Sequence, residues 1–225
     1  MNIHVETSKR KVFVVDDHPI VRSGLALLIN REPDLVVCGD AEEMHAALEA
    51  IGVLRPDVLV IDLSLNGPDG LDLVKRVREI EPVLPVLILS IHDESIYAER
   101  ALRAGANGYI MKQEATDRVL TALRRILNRE IYVSDRIANK MLQRVACGNG
   151  ASSAHSPLDT LSERELEVLR LIGDGLGTRQ MAEQLRLSIK TVESYQSHLK
   201  DKLALKNSRE LVQYAISWAM NQRQN

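Results

Sequence analysis

Lys11-Val12-Phe13-Val14-Val15-Asp16-Asp17-His18-Pro19 reads as a strand, a polar end and the start of a helix. The apolar run has no polar alternation, as expected of a strand in a parallel sheet covered on both faces. Two carboxylates close it. Pro19 suits a first helical position, because its fixed φ is helical and its missing N–H is not needed there. The same unit recurs along the chain. Candidate strands lie at 11–15, 35–39, 57–61, 86–89 and 108–111. Helical stretches fall near 19–31, 41–52, 69–80, 94–104 and 115–128, with Ala104-Gly105 as a helix stop. Five strand–helix units in series predict an α/β domain built on a five-stranded, doubly wound parallel sheet.

The chain has 225 residues, enough for one large domain or two small ones. Hydrophobic content of 45% and charged content of 27% are ordinary globular values and argue against wholesale disorder. No apolar run nears the roughly 20 residues a membrane helix needs. Met1-Asn2-Ile3-His4-Val5-Glu6 turns polar at once and offers no signal-peptide stretch. Cys38 and Cys147 have neither paired nor metal-type spacing, so the chain reads as reduced and cytoplasmic, with Cys38 in the core. Aromatic content of 3% argues against a reader of single strands that stacks bases on rings. The histidines show no helix-spaced pair, which leaves zinc without support, and His92, two residues past Ser90, reads as a solvated loop residue in preference to one bordering the site at the end of the fourth strand.

Charge divides the chain. Residues 1–130 carry 16 basic and 21 acidic side chains, whereas residues 179–225 carry 8 and 4. A basic face is therefore available near the C-terminal end despite an overall net charge of -2. Residues 147–157 are small, polar and aperiodic, the composition of a flexible linker. The expected organisation is an α/β domain over 1–130, a linker with a short helix over 131–157, and a small all-α domain over 158–225. In that last part helical stretches lie near 162–173, 178–185, 189–203 and 208–220.

In open parallel sheets the working groups gather at the carboxyl ends of the strands. Asp16 and Asp17 end the first strand, Asp62 the third and Ser90 the fourth, and Lys112 closes the fifth. Three neighbouring carboxylates repel one another unless a cation joins them, and a hard divalent ion such as Mg²⁺ takes oxygen ligands of this kind. An Asp beside Mg²⁺, with an ammonium and a hydroxyl at hand, is equipped to accept a phosphoryl group.

Val14-Val15-Asp16-Asp17-His18, Val60-Ile61-Asp62-Leu63-Ser64, Ile88-Leu89-Ser90 and Gly108-Tyr109-Ile110-Met111-Lys112 together resemble the receiver domain of two-component response regulators, over about residues 10–130. The resemblance implies a flavodoxin-like fold with Asp62 as phosphoacceptor. It implies Asp17 as a direct Mg²⁺ ligand, Asp16 acting largely through water, and the Ser64 carbonyl as a further ligand. Ser90 and Lys112 match the hydroxyl and lysine that contact the phosphoryl group, and Tyr109 the switch aromatic. The chain departs from the family after Asp62, where Leu65-Asn66-Gly67-Pro68 replaces a common Met-Pro-Gly. It departs again at Gln113, where many receivers have proline.

Beyond the linker, Ser162 with Glu165 three residues on forms a capping box. Thr178 is a candidate cap for the next helix. A short helix, the turn Arg186-Leu187-Ser188 and a longer helix make a helix-turn-helix, whose second helix enters the major groove. Leu161-Ser162, Arg164-Glu165, Glu167-Val168-Leu169, Met181-Ala182, Leu185, Lys190-Thr191-Val192 and Lys202-Leu203 resemble the LuxR-type DNA-binding domain. The candidate DNA-contacting residues are Lys190, Thr191, Glu193, Ser194, Ser197, Lys200 and Lys202. Relatives often have basic residues where this helix has Glu193, Ser194 and Ser197, and Glu193 can accept from a cytosine amino group.

The whole chain thus resembles a response regulator of the NarL/FixJ family, which implies a regulator of transcription and not an enzyme. Its implied partners are a histidine kinase, double-stranded DNA and a second copy in a homodimer formed on phosphorylation or on DNA. An aspartyl phosphatase using Asp62 would resemble its relatives in a second Asp two residues on, where Ser64 stands here. A DNA binder that ignores phosphorylation is the remaining alternative.

Overall fold

A computed structural model describes residues 9–65, 70–146, 157–185 and 187–223. The N-terminal segment, the altered loop at Asn66 to Pro68, Arg186 in the expected turn, and the glycine- and serine-rich linker with Cys147 lie outside those residues. The chain separates into two compact units, residues 1–150 and 151–225.

The first unit carries strands β1 (Arg10–Val15), β2 (Leu35–Ala41), β3 (Val58–Asp62), β4 (Val86–Ser90) and β5 (Gly108–Met111). They form one parallel sheet in the order β2-β1-β3-β4-β5. Helices α1 (Pro19–Asn30), α2 (Met44–Leu54), α3 (Gly70–Ile80), α4 (Glu94–Ala104) and α5 (Ala115–Leu127) alternate with the strands. On one face Val12, Val14, Val60, Leu87 and Leu89 bury against Leu25 and Ile29 of α1 and Val119, Leu123 and Ile126 of α5. Residues of the other parity, Phe13, Val15, Leu59 and Ile61, are as deeply buried. Each such side chain contributes about 1.5–3 kcal/mol by leaving water. Pro19 opens α1, and Gly105 ends α4 in the left-handed region at φ 108.

Three of the boundaries that differ from the sequence reading have their reason in the hydrogen-bond ladder. Helix α2 begins at Met44 and not at residue 41, because Ala41 stays in β2 opposite Val15 after a register shift between Val12 and Phe13. Strands β3 and β4 each run one residue further, taking Asp62 and Ser90 into the ladder opposite Leu89 and Met111. Their side chains are therefore held by sheet and not by loop. Cys38, expected in the core, is half-buried in β2, where burial pushes its thiol pKa up.

Within the segment read as linker, helix α6 (Asp135–Ala146) is present. The residues before it fold onto the first unit: the Tyr109 N–H donates to the Tyr132 carbonyl and the Tyr132 N–H to the Asn107 carbonyl, both at 2.9 Å.

The second unit consists of α7 (Glu163–Gly173), α8 (Thr178–Leu185), α9 (Ile189–Lys202) and α10 (Ser208–Arg223). Helix α7 packs against α9 and α10, and α8 against α9. The core contains Leu166, Leu169, Met181, Ala182, Val192, Leu199, Leu211 and Ala215. Ser162 and Glu165 form the expected capping box. Thr178 does not cap α8: the Gln180 side chain accepts from the Gly177 N–H, and the Thr178 hydroxyl accepts from Gln196. Among the described residues no helix is long and apolar enough to cross a membrane.

Candidate functional site

The sheet order reverses between β1 and β3, and a crevice opens at such a switch point beyond the carboxyl ends of the strands. Asp16 and Asp17 follow β1 on one side of it, and Asp62 ends β3 on the other. Asp16 and Asp62 are each 1% exposed. Lys112, arriving from β5, sets its ammonium 2.7 Å from Asp62 Oδ2 and 2.7 Å from Asp16 Oδ2. One ammonium thus meets two buried carboxylates, with Asp17 close by.

That imbalance shapes the titration of the site. Burial pushes the Asp62 carboxyl above the usual carboxylate range, with the Lys112 ammonium opposing it and Asp16 reinforcing it. Burial also works against the Lys112 charge, but Asp62 and Asp16 overcome it and hold that ammonium protonated above its ordinary pKa. Asp16 Oδ2 and Asp17 Oδ1 are shut off from solvent, the first facing the Lys112 ammonium and the second the His18 ring. One ligand atom from each of Asp16, Asp17, His18 and Asp62 can lie within 4.8 Å of the others. Shielded carboxylate oxygens in surplus, short of donors and close together, fit a hard divalent cation. His18 joins this cluster, its Nδ1 2.6 Å from Asp17 Oδ1, and its N–H donates to Asp16 Oδ1 at 2.8 Å.

The remaining predicted residues converge on the same end of the sheet. The Ser64 N–H donates to Asp62 Oδ1 at 3.2 Å. Ser90 is fully buried, and its Oγ accepts from the His92 N–H at 3.0 Å, which leaves its own proton available to a further acceptor. Tyr109 is buried, and its hydroxyl donates to the His92 carbonyl at 2.9 Å.

His92 corrects the sequence reading. It is not solvated: it is 8% exposed, its Nε2 lies 2.7 Å from Ser64 Oγ, and its ring lies against Tyr97 with centroids 4.8 Å apart. Its backbone and ring touch Ser90, Tyr109 and Ser64 at once. The signal available in the sequence was its place two residues beyond Ser90, which a lone loop histidine shares with many unengaged ones.

In the second unit Ser188 caps α9, accepting from the Thr191 N–H at 3.0 Å. Lys190, Glu193, Ser194 and Ser197 are exposed at the spacing of one helical face. Thr191 is half-buried, its hydroxyl 2.7 Å from Ser188 Oγ, and Lys200 is half-buried. The Ser194 hydroxyl donates back to the Lys190 carbonyl at 3.0 Å, so its oxygen remains an acceptor. Lys202, expected to reach DNA, turns inward: it lies 2.7 Å from the buried Glu165 Oε2 and donates to the Thr160 carbonyl at 3.1 Å. A buried capping carboxylate needs a cation, and Lys202 supplies it.

An acid-lined switch point in one unit and a helix-turn-helix in the other have the architecture of a receiver domain and of a DNA-binding domain. Comparison with known proteins agrees. Residues 12–124 match the response regulator receiver domain, and residues 159–215 match the bacterial regulatory proteins of the luxR family. The oxygen regulatory protein NreC of Staphylococcus carnosus (strain TM300) is 35% identical over 209 residues, covering 92% of this chain and 96% of that protein. A LuxR-family two-component response regulator from Aurantimonas sp. SI85-9A1 has 32% identity and a TM-score of 0.57, covering 62% of this chain and 99% of that one. RcsB from Salmonella enterica serovar Typhimurium, bound to a promoter in the presence of phosphomimetic BeF3-, has 27% identity and a TM-score of 0.58, covering 93% and 100%. The chain belongs to the NarL family of DNA-binding response regulators of two-component systems.

Proposed function

We propose that phosphorylation of Asp62 controls this regulator. The observation that carries the reading is the buried pair Asp16 and Asp62 meeting the Lys112 ammonium at the switch point of the sheet, with half-buried Asp17 beside them. An Asp62 carboxylate oxygen forms the new P–O bond while the bond from phosphorus to the donor breaks and the donor leaves with the electron pair. The donor is a kinase histidine or a small acyl phosphate. Lys112 and the Ser90 hydroxyl then meet the phosphoryl oxygens. Mg²⁺ would be held by Asp16, Asp17, Asp62 and the Ser64 carbonyl, and would offset charge on those oxygens.

Phosphorylation shifts an equilibrium in which Ser90 and Tyr109 rearrange and a dimer forms. Exposed Val212, Ile216 and Met220 recur every fourth residue on α10 and give the second unit an apolar stripe for a second copy. The receiver is assigned to residues 1–130, the linker to 131–157 and the DNA-binding domain to 158–225, in a cytoplasmic protein. Lys190, Glu193, Ser194 and Ser197 face the bases, with Thr191 and Lys200 toward the backbone. Incubation with acetyl phosphate and Mg²⁺ followed by intact-mass measurement tests the reading. One stable phosphoryl group per chain, absent in Asp62→Ala, is expected; release of phosphate without an adduct would favour the phosphatase instead.

A further inference from the structure

The surface of α4 and β5 is where rearrangement of Ser90 and Tyr109 would emerge, yet the chain's own continuation already lies across it. Residue 132 runs alongside β5 through two backbone hydrogen bonds, one of them from the N–H of Tyr109 itself. Gly108 makes that approach possible, because a Cβ there would stand 3.0 Å from the Tyr132 carbonyl oxygen and 3.2 Å from its Cβ. Arg125 holds the Tyr132 ring from the other side, its guanidinium carbon 5.5 Å from the centroid.

Two residues on, the strap is latched to α4. Glu94, the first residue of α4, is 8% exposed, and its Oε1 accepts from the Ser134 hydroxyl at 2.7 Å and from Arg136 Nε at 3.3 Å. Arg136 also reaches Asp93, the cap of α4, at 3.4 Å. Ser134 caps α6 with the same oxygen, accepting from the Ile137 N–H, and Ile137 is buried. A carboxylate this enclosed depends on these donors.

Both attachments lead back to one residue. His92 accepts from Tyr109 and donates to Ser90, and it immediately precedes Asp93 and Glu94. From Ser90 one route runs through His92 and Tyr109 to Tyr132, and a second through His92 and Glu94 to Ser134 and Arg136. We infer that residues 131–146 are the output arm of the receiver, strapped to β5 at Tyr132 and latched to α4 by Glu94, and that phosphorylation acts by releasing this arm. The inference rests on Asp62 being the phosphoacceptor. When Ser90 turns to the phosphoryl group, its bond with the His92 N–H is disturbed, the start of α4 shifts, and the latch loses its geometry. The arm continues in sequence toward the DNA-binding unit, so its release alters the restraint on that unit.

The test is amide hydrogen exchange of full-length protein, with and without beryllium fluoride and Mg²⁺. Amides of α6 in the wild type are expected to exchange about tenfold faster with the phosphomimetic, and not in Asp62→Ala. Glu94→Ala breaks the latch but leaves the Ser134 cap, so its α6 exchanges fast without phosphomimetic and gains little from it. Arg136→Ala, at an exposed position that does not threaten folding, moves the same way by less. Acetyl-phosphate labelling of Asp62 stays at the wild-type level in both. If α6 exchange ignores beryllium fluoride while Asp62 is labelled normally, or if Glu94→Ala exchanges like wild type, the inference is overturned and the phosphoacceptor reading stands. A wild type that takes up no phosphoryl group overturns both.

Discussion

Two lysines in this molecule hold buried carboxylates at 2.7 Å, Lys112 at the end of β5 and Lys202 at the end of α9. Their surroundings separate them. Glu165, the partner of Lys202, also accepts from the Ser162 N–H and has His198 beside it, so one acid has several donors. Lys112 serves Asp16 and Asp62 with Asp17 close by, so several acids share one ammonium. The first arrangement is closed and holds a helix end. The second has negative charge to spare, and a surplus of shielded negative charge suits a hard divalent cation. The balance around an ion pair, and not the pair itself, distinguishes structure from chemistry.

The largest test of that contrast is Lys112→Ala. It leaves buried carboxylates without their ammonium and should destabilise the first unit by about 3–5 kcal/mol in thermal unfolding without metal. Mg²⁺ should bind this variant more tightly than wild type, since the cation no longer competes with the ammonium, while dimerisation after phosphorylation is lost. A variant that dimerises normally once phosphorylated would remove Lys112 from the switch.

Lys202→Ala comes next. It should cost about 1–2 kcal/mol of second-unit stability, reduced by the partial exposure of the lysine, and leave the salt dependence of DNA binding unchanged. Lys200→Ala should do the reverse, keeping stability and lowering the slope of log affinity against log salt by about 1. Equal slopes in the two variants would erase the distinction.

His92→Phe keeps the ring against Tyr97 and loses the bond to Ser64, with an expected cost of about 1 kcal/mol and slower labelling of Asp62. In a Ser64→Ala background the same substitution should have little further effect on labelling. The smallest effect concerns Asp93. Burial works against its charge, but hydrogen bonds from the Ser95 side chain and amide, with help from Arg136, outweigh it and hold its carboxyl below the usual range. A lowered folded pKa contributes stability above the ordinary carboxylate pKa and loses it as pH falls through the folded value. Asp93→Ala should therefore cost about 0.5–1 kcal/mol at neutral pH and converge with wild type in acid.

Much of this was legible in the residues. Val12 to Val15 and the runs like it give a buried parallel strand by composition alone, and the acids follow because strand ends carry function in this architecture. Asp62 and Ser90 could be named, but not that the ladder extends to hold them, which depends on partners Leu89 and Met111 across the sheet. The partners of His92 and Lys202 were not legible, for a shared reason. Both are polar residues at positions that look exposed locally, and both owe their burial or pairing to elements distant in sequence, Ser64 and Glu165. Residues 131–146 look like a linker because nothing in their composition reveals that Glu94 and Tyr109 are waiting for them.

Under the proposed control, one phosphoryl group on Asp62 changes how this protein associates and binds DNA. That control is tested most directly by treating full-length wild type and Asp62→Ala with acetyl phosphate and Mg²⁺, then recording intact mass, oligomeric state and DNA affinity on the same samples. The expected result is one phosphoryl group, increased dimer and tighter DNA binding in the wild type, and none of the three in Asp62→Ala. An equal change in association or DNA affinity in both proteins would contradict it.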